Sequence, residues 1–105
     1  GSLNQLRSNL YISDAINMII KSTVRYKNEI FNISNHKMTT IKKMAQIISK
    51  ISNKKIKKHK SFLKGSPNVI KISNKKILRS INFNISTSLK DGLLKTYNWY
   101  LHLNT

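Results

Sequence analysis

A small mixed α/β fold is what the sequence predicts, on three observations. Apolar residues recur with helical period in two stretches, 13–24 and 39–51. Short runs bearing Ile, Phe and Val, bounded by polar residues, follow each of them and read as strands. A capped helical stripe then closes the chain near 88–101. At 105 residues this is one domain or part of one.

Taken in order, Gly1 to Asn9 is polar and turn-like. In "SDAINMIIKSTV", Ser13 suits the N-cap, and Asp14 sits in the first turn, where the helix dipole favours an acid. Ala15, Ile16, Ile19, Ile20 and Val24 form one face of that helix and are expected inward. "NEIFNIS" predicts a short strand carrying Ile30, Phe31 and Ile33. Thr39 or Thr40 caps the second helix, whose stripe is Ile41, Met44, Ala45, Ile48 and Ile51. A basic strand is expected around 55–58, a turn at Gly65, Ser66 and Pro67, and a strand in "NVIKI". A short helix begins at Ser73 with Ile77, Leu78 and Ile81 inward, and Asn82 suits the left-handed closing position. Thr87 or Ser88 caps the last helix, which turns Leu89, Leu93, Tyr97 and Tyr100 or Leu101 inward. Gly92, in the middle of that helix, costs up to about 1 kcal/mol relative to Ala and so marks a close packing contact.

Charge bounds the partners. Twenty Lys and Arg face three acids, Asp14, Glu29 and Asp91, for a net charge of +17. Such a field attracts polyanions, so one reading is a stand-alone basic α/β module that binds RNA or DNA electrostatically. Against it, the lysines are dispersed apart from the run at 54–60, Arg is scarce, and no aromatics interleave with that run. The accompanying wealth of Asn, Ile and Ser fits drift from an AT-rich genome. No apolar run approaches the roughly 18 residues of a membrane span, so no membrane partner is expected. No secretion signal is recognisable and cysteine is absent, which together point to a reducing, cytoplasmic setting. His36, His59 and His102 lack metal-ligand spacing, and no nucleophilic triad, paired-carboxylate or P-loop constellation is present.

Three segments carry a resemblance. "GSLNQLRSNLYISDAINMII" resembles a "G-x-G-x-x-x-R-D-F-x-Y-V-x-D" pattern, and "NEIFNISNHKMTTIKKMAQIISKI" resembles "G-E-x-F-N-I-G-x-G-x-x-x-S-I-K-E-L-A-x-x-I". "KGSPNVIKISNKKILRSINFNISTSLKDGLLKTYNWYL" is similar to a closing "D-G-x-P-x-x-x-x-D-x-S-K-x-x-x-x-L-G-F-x-P-x-x-S-L-x-E-G-L-x-x-T-x-x-W-Y". All three patterns, in that order, are those of extended short-chain dehydrogenase/reductases that act on nucleotide sugars, with GDP-fucose synthase and neighbouring epimerases and dehydratases nearest in flavour. The family's Gly-rich dinucleotide turn is missing from this sequence, and so is its catalytic Tyr-x-x-x-Lys, since none of Tyr11, Tyr26, Tyr97 and Tyr100 has a Lys four positions on.

The resemblance therefore implies a C-terminal part of such an enzyme: a small substrate-binding lobe plus the last helix and strand of a Rossmann-type domain. Residues 1–36 would be terminal elements of the nucleotide-binding domain, and 37–105 the substrate lobe. Gly1 and Ser2 fit the family's mid-protein "G-x-G" turn about as well as a cloning scar, so the start is expected to be a truncation rather than a native N-terminus. NAD or NADP would be held by the full-length parent and none by this chain alone. The nucleotide-sugar substrate would be shared with the N-terminal domain, for epimerisation, dehydration or reduction, and the catalytic residues would lie upstream. Isolated, the lobe is expected to expose an apolar face and self-associate.

Arg7 matches the family's Arg and is implied as the ligand of the substrate diphosphate, for which a guanidinium fork is well shaped. The acid after it in the family is Ser8 here. Asp14 matches the acid that ends "Y-V-x-D", although helix capping and first-turn charge account for it, and Tyr11 is read as packing at the sheet edge. Lys64 and Gly65 occupy the family's "D-G" pocket loop, with Lys64 replacing an acid that would accept sugar or base hydroxyls.

Overall fold

The computed structural model describes residues 2–59 and 65–104. Six elements follow in order: β1 (Leu6–Ser8), α1 (Ile12–Arg25), β2 (Met38–Thr40), α2 (Ile41–Ser52), α3 (Lys75–Ile81) and α4 (Leu89–Leu103). β1 is bonded on both edges. It pairs antiparallel with β2, Leu6 opposite Thr40, Arg7 opposite Thr39 and Ser8 opposite Met38. On its other side Leu6 forms a parallel bridge with Val69, and the Leu6 N–H donates to the Asn68 carbonyl at 2.8 Å.

α1 packs on α3, and α2 packs on α4. The core lies between the first pair. Met18, Ile77 and Ile81 are buried, with Leu10, Tyr26, Phe31, Ile33, Leu78 and Phe83 packed around them. Tyr26 adds a polar tie, its hydroxyl donating to the Ser80 carbonyl at 2.8 Å while its ring meets Phe31 edge-on.

Caps fall largely where side-chain chemistry puts them. The Thr40 hydroxyl accepts the Lys43 N–H at 3.1 Å, and the Ser88 hydroxyl accepts the Asp91 N–H at 3.1 Å. Asn53 and Asn82 close α2 and α3 with φ of 53° and 47°, the left-handed conformation Asn tolerates better than most residues. α3 starts at Lys75 rather than Ser73, with Asn74 in the capping position and its amide donating to the Ser34 carbonyl. Gly92 is buried as its placement in α4 predicts, because a Cβ there would stand 3.1 Å from Tyr11 Cδ2. Leu89, Leu93 and Tyr97 are half-buried, whereas Tyr100 and Leu101 are exposed.

Three expectations are corrected. α1 begins at Ile12 with Tyr11, not Ser13, at the N-cap. Its buried positions are Asp14 and Met18, and the apolar stripe expected inward lies in solvent: Ile16, Ile19, Ile20 and Val24 are 46, 48, 54 and 84% exposed. With that face outward, Asp14 turns inward and accepts hydrogen bonds from Ser86 and Thr87. Second, 30–33 and 55–58 form no strand, and "NVIKI" contributes only the bridge at Val69. The stretch following α1 is pinned by side chains rather than by a ladder: Lys76 Nζ donates to the Ile30 carbonyl at 2.9 Å, and Ser34 Oγ donates to the Ile72 carbonyl at 2.7 Å. Third, the strands that do form, β1 and β2, lie where polar residues hide them. Three residues each are too few to display alternation.

The molecule is thin, 46 × 37 × 19 Å, with a radius of gyration of 16.3 Å where a compact domain of this length has roughly 13 Å. Its accessible surface is 8596 Å², against roughly 6,000 Å² for a folded monomer of this mass. Much of that excess is apolar, since the α1 stripe is joined by exposed Ile30, Val69, Trp99 and Leu103.

Candidate functional site

Arg7 sits on β1, paired with Thr39 of β2 and next to Leu6, which bridges Val69 on the other side. Its Nη1 donates to the Leu6 carbonyl at 2.8 Å. Its Nη2 lies between Gln5 Oε1 at 3.4 Å and Ser66 Oγ at 3.2 Å. All three acceptors are neutral. The acids are occupied elsewhere: Asp14 by Ser86 and Thr87, Glu29 by Lys76 Nζ at 2.8 Å, and Asp91 by the Ser88 hydroxyl at 2.7 Å. Among the described residues, the guanidinium is thus held in a fixed pose by neutral acceptors. Arg7 also borders a cleft of about 290 Å³ whose other walls include Leu10, Ile33, Ser34, Ile70 and Ile72.

The turn that meets Arg7 begins at Gly65, whose φ of 93° only glycine adopts without strain. Steric room is not the reason, as nothing lies within 4 Å of an added Cβ. Lys64, the other expected pocket-loop residue, falls outside the described residues. Ser8, standing where the resembled pattern has an acid, does not turn to Arg7 at all. Its Oγ donates to the Asn35 carbonyl at 2.6 Å and accepts the Asn35 N–H at 3.1 Å, clamping β1 to the stretch before β2.

Asp14 does lie in the first turn of α1, yet its carboxylate works at a distance. Oδ2 accepts the Thr87 N–H at 3.0 Å, and Oδ1 accepts the Ser86 hydroxyl at 3.0 Å and its N–H at 3.4 Å. Burial alone would raise its pKa, but these hydrogen bonds to the charged form together outweigh burial and hold it below its ordinary 3.8. Tyr11 packs across Gly92 of α4, with Lys95 Nζ 5.4 Å from its ring centroid, and not at the sheet edge.

The lysines at 54, 55, 57 and 58 are exposed on chain without regular structure beyond α2. No cluster of three metal-ligating side chains occurs among the described residues, and no described helix is long and apolar enough to cross a membrane. Of the two described glycines, Gly65 stands in a turn and Gly92 inside a helix, so neither belongs to a Gly-rich strand-to-helix turn.

No family model matches the chain, and no curated protein does. Solved structures do. UDP-glucose 4-epimerase of Thermotoga maritima, with UDP-glucose, is similar over 100% of this chain and 34% of its own, at a TM-score of 0.90 and 21% identity. UDP-glucuronic acid 4-epimerase of Bacillus cereus, with UDP-glucuronic acid and NAD, is similar over 98% of this chain and 34% of its own, at 0.83 and 28%. RMD from Pseudomonas aeruginosa, complexed with NADPH, gives 0.77 and 10% over 95% of this chain. The chain has the fold of a C-terminal portion of the extended short-chain dehydrogenase/reductases. It spans about a third of the length of the structures it matches.

Within this fold, the sequence singles out Arg7 and the turn at Gly65 but not what joins them. Gln5 is buried and touches both. Gln5 lies just before β1, and no local signal marks it, because its partners come together only in the fold.

Proposed function

We propose that the chain supplies the substrate lobe of an NAD- or NADP-dependent nucleotide-sugar epimerase, dehydratase or reductase. Arg7 binds the substrate diphosphate, and the turn at Gly65 and Lys64 borders the sugar nucleotide. One observation carries the reading: Arg7, whose charge meets only neutral acceptors, lies against Ser66, 59 positions away in the turn that the resemblance assigns to the pocket. Hydride transfer at a sugar carbon needs a dinucleotide turn and a Tyr–Lys pair that this sequence lacks, so the lobe binds and positions but does not perform the chemistry. Residues 1–36 and 37–105 then mark contributions to the nucleotide-binding and substrate portions, not separately folding units, since β1 pairs with β2 across that boundary. The exposed α1 stripe and the surplus surface are the area the nucleotide-binding portion covers.

Titration of the chain with UDP-glucose, followed by amide NMR, tests this. Shifts centred on Arg7 and Ser66, abolished by Arg7→Ala, are expected. Shifts that ignore that substitution would overturn it.

A second reading, electrostatic binding of RNA or DNA, is favoured by the exposed lysines at 54, 55, 57 and 58 and by the engagement of all three acids elsewhere. Filter binding at two salt concentrations tests it, through the steep loss of affinity that counterion release demands. Absence of binding at low salt removes it.

A further inference from the structure

Gln5 is 8% exposed, and its side chain lies between the two parts of the candidate phosphate site. Its Oε1 accepts from Arg7 Nη2 at 3.4 Å, while its Nε2 donates to the Ser66 carbonyl at 3.4 Å. Those two contacts fix the orientation of the amide. Turned over, it would set an N–H against the guanidinium and an oxygen against the carbonyl, losing both bonds. Its backbone is committed as well, because the Gln5 carbonyl accepts the Ile41 N–H at 3.0 Å at the start of α2. Three separate parts of the chain, β1, the turn at Ser66 and the head of α2, therefore converge on one residue.

A buried amide is costly to place unless its hydrogen bonds are made. An apolar residue of similar length would fill the space between strand and turn. What the amide adds is an acceptor for the guanidinium and a donor for the turn, joined through one rigid plane. We propose that Gln5 is a positioning residue for anion recognition: it holds the Arg7 guanidinium and the Ser66 turn in register, so that a diphosphate meets both at once. The neutral amide is essential to this. A carboxylate in its place would pair with Arg7 and compete with the phosphates, whereas Gln5 orients the cation and leaves its charge free.

The inference rests on the diphosphate role of Arg7, and the test separates the two. UDP-glucose affinity is measured by NMR titration for the wild type, Gln5→Met, Arg7→Ala and the double variant, with thermal melting as the control for folding. Gln5→Met is expected to weaken binding about three- to tenfold, the worth of one or two lost hydrogen bonds. In the Arg7→Ala background the same change is expected to have less than about a twofold effect, because Gln5 acts through Arg7. An equal loss in both backgrounds would mean a general structural effect and overturn the proposal, as would wild-type affinity for Gln5→Met. Should Gln5→Met fail to fold, Gln5→Glu keeps the length and polarity, and is expected to weaken UDP-glucose binding without weakening that of uridine; an equal loss of both overturns the proposal.

A ligand-free readout completes the test. The Arg7 Nη resonances are expected to show restricted rotation in the wild type and averaging in the Gln5 variant. If Arg7→Ala binds UDP-glucose as the wild type does, the diphosphate role fails. The Arg7 resonances then still decide whether Gln5 orients the guanidinium, and unchanged rotation in the variant overturns that.

Discussion

Asp14 Oδ2 accepts the Thr87 N–H at 3.0 Å, tying the first turn of α1 to the segment that enters α4 across 73 positions of sequence. With Ser86 contributing its N–H and hydroxyl to Oδ1, the carboxylate serves as an anchor for backbone that forms no regular structure of its own. Asp14→Ala leaves these donors without their acceptor and is expected to cost about 2 kcal/mol, measured by urea denaturation. A loss within experimental error of zero would show that the anchor contributes nothing.

The same carboxylate sets an acid limit. Its folded-state pKa lies below 3.8, so its stabilising contribution is complete above that value and is lost as pH falls through the lower, folded one. Wild type should therefore lose more stability than Asp14→Asn as pH falls below about 4. Parallel pH profiles for the two proteins would contradict this.

Gly92 and Tyr11 form a close contact, since a Cβ at Gly92 would stand 3.1 Å from the Tyr11 ring and the ring would have to shift. Gly92→Leu is expected to cost about 2 kcal/mol, the scale of overpacking, and less than half of that when Tyr11 is also changed to Ala. A cost independent of Tyr11 would place the crowding elsewhere. Both partners are readable in the sequence as residues, but not as a pair: a glycine inside an amphipathic helix announces that something comes close, and nothing local says what.

Asn82 closes α3 at a φ of 47°. Asn82→Gly is expected to be neutral and Asn82→Val to cost about 1 kcal/mol or more, because a β-branched side chain opposes the left-handed conformation. Thermal denaturation of the two variants decides it, and equal melting temperatures would mean that the closing turn relaxes.

The α1 stripe leads to an association prediction. At physiological salt the isolated chain is expected to show a sedimentation coefficient that rises with concentration, and Ile16→Gln with Ile20→Gln to suppress the rise. Stability should change by no more than about 0.5 kcal/mol, as both positions are half-exposed or nearly so. A concentration-independent wild type would indicate that the stripe is tolerated bare.

That stripe also shows why some of the architecture was legible and some was not. The apolar period of α1 correctly announced a helix. It could not say that Asp14 and Met18 occupy the inner side and leave the stripe exposed. Helix ends were readable because Thr40, Ser88 and Asn82 act on backbone within a few positions of themselves. β1 was not, since Leu6–Ser8 is a strand only by virtue of β2 and Val69. Arg7 was found through the resemblance, whereas its surroundings, Gln5 and Ser66, are products of tertiary pairing.

The position of β1 has a consequence for how the chain acquires its shape. Its edges are bonded only by residues distant in sequence, Met38–Thr40 on one side and Val69 on the other. Such non-local pairing is slow relative to helix formation. The helices form from local contacts, whereas the backbone around Arg7 is fixed only when the last bridge closes, so the order of that segment depends on residues far from it in sequence.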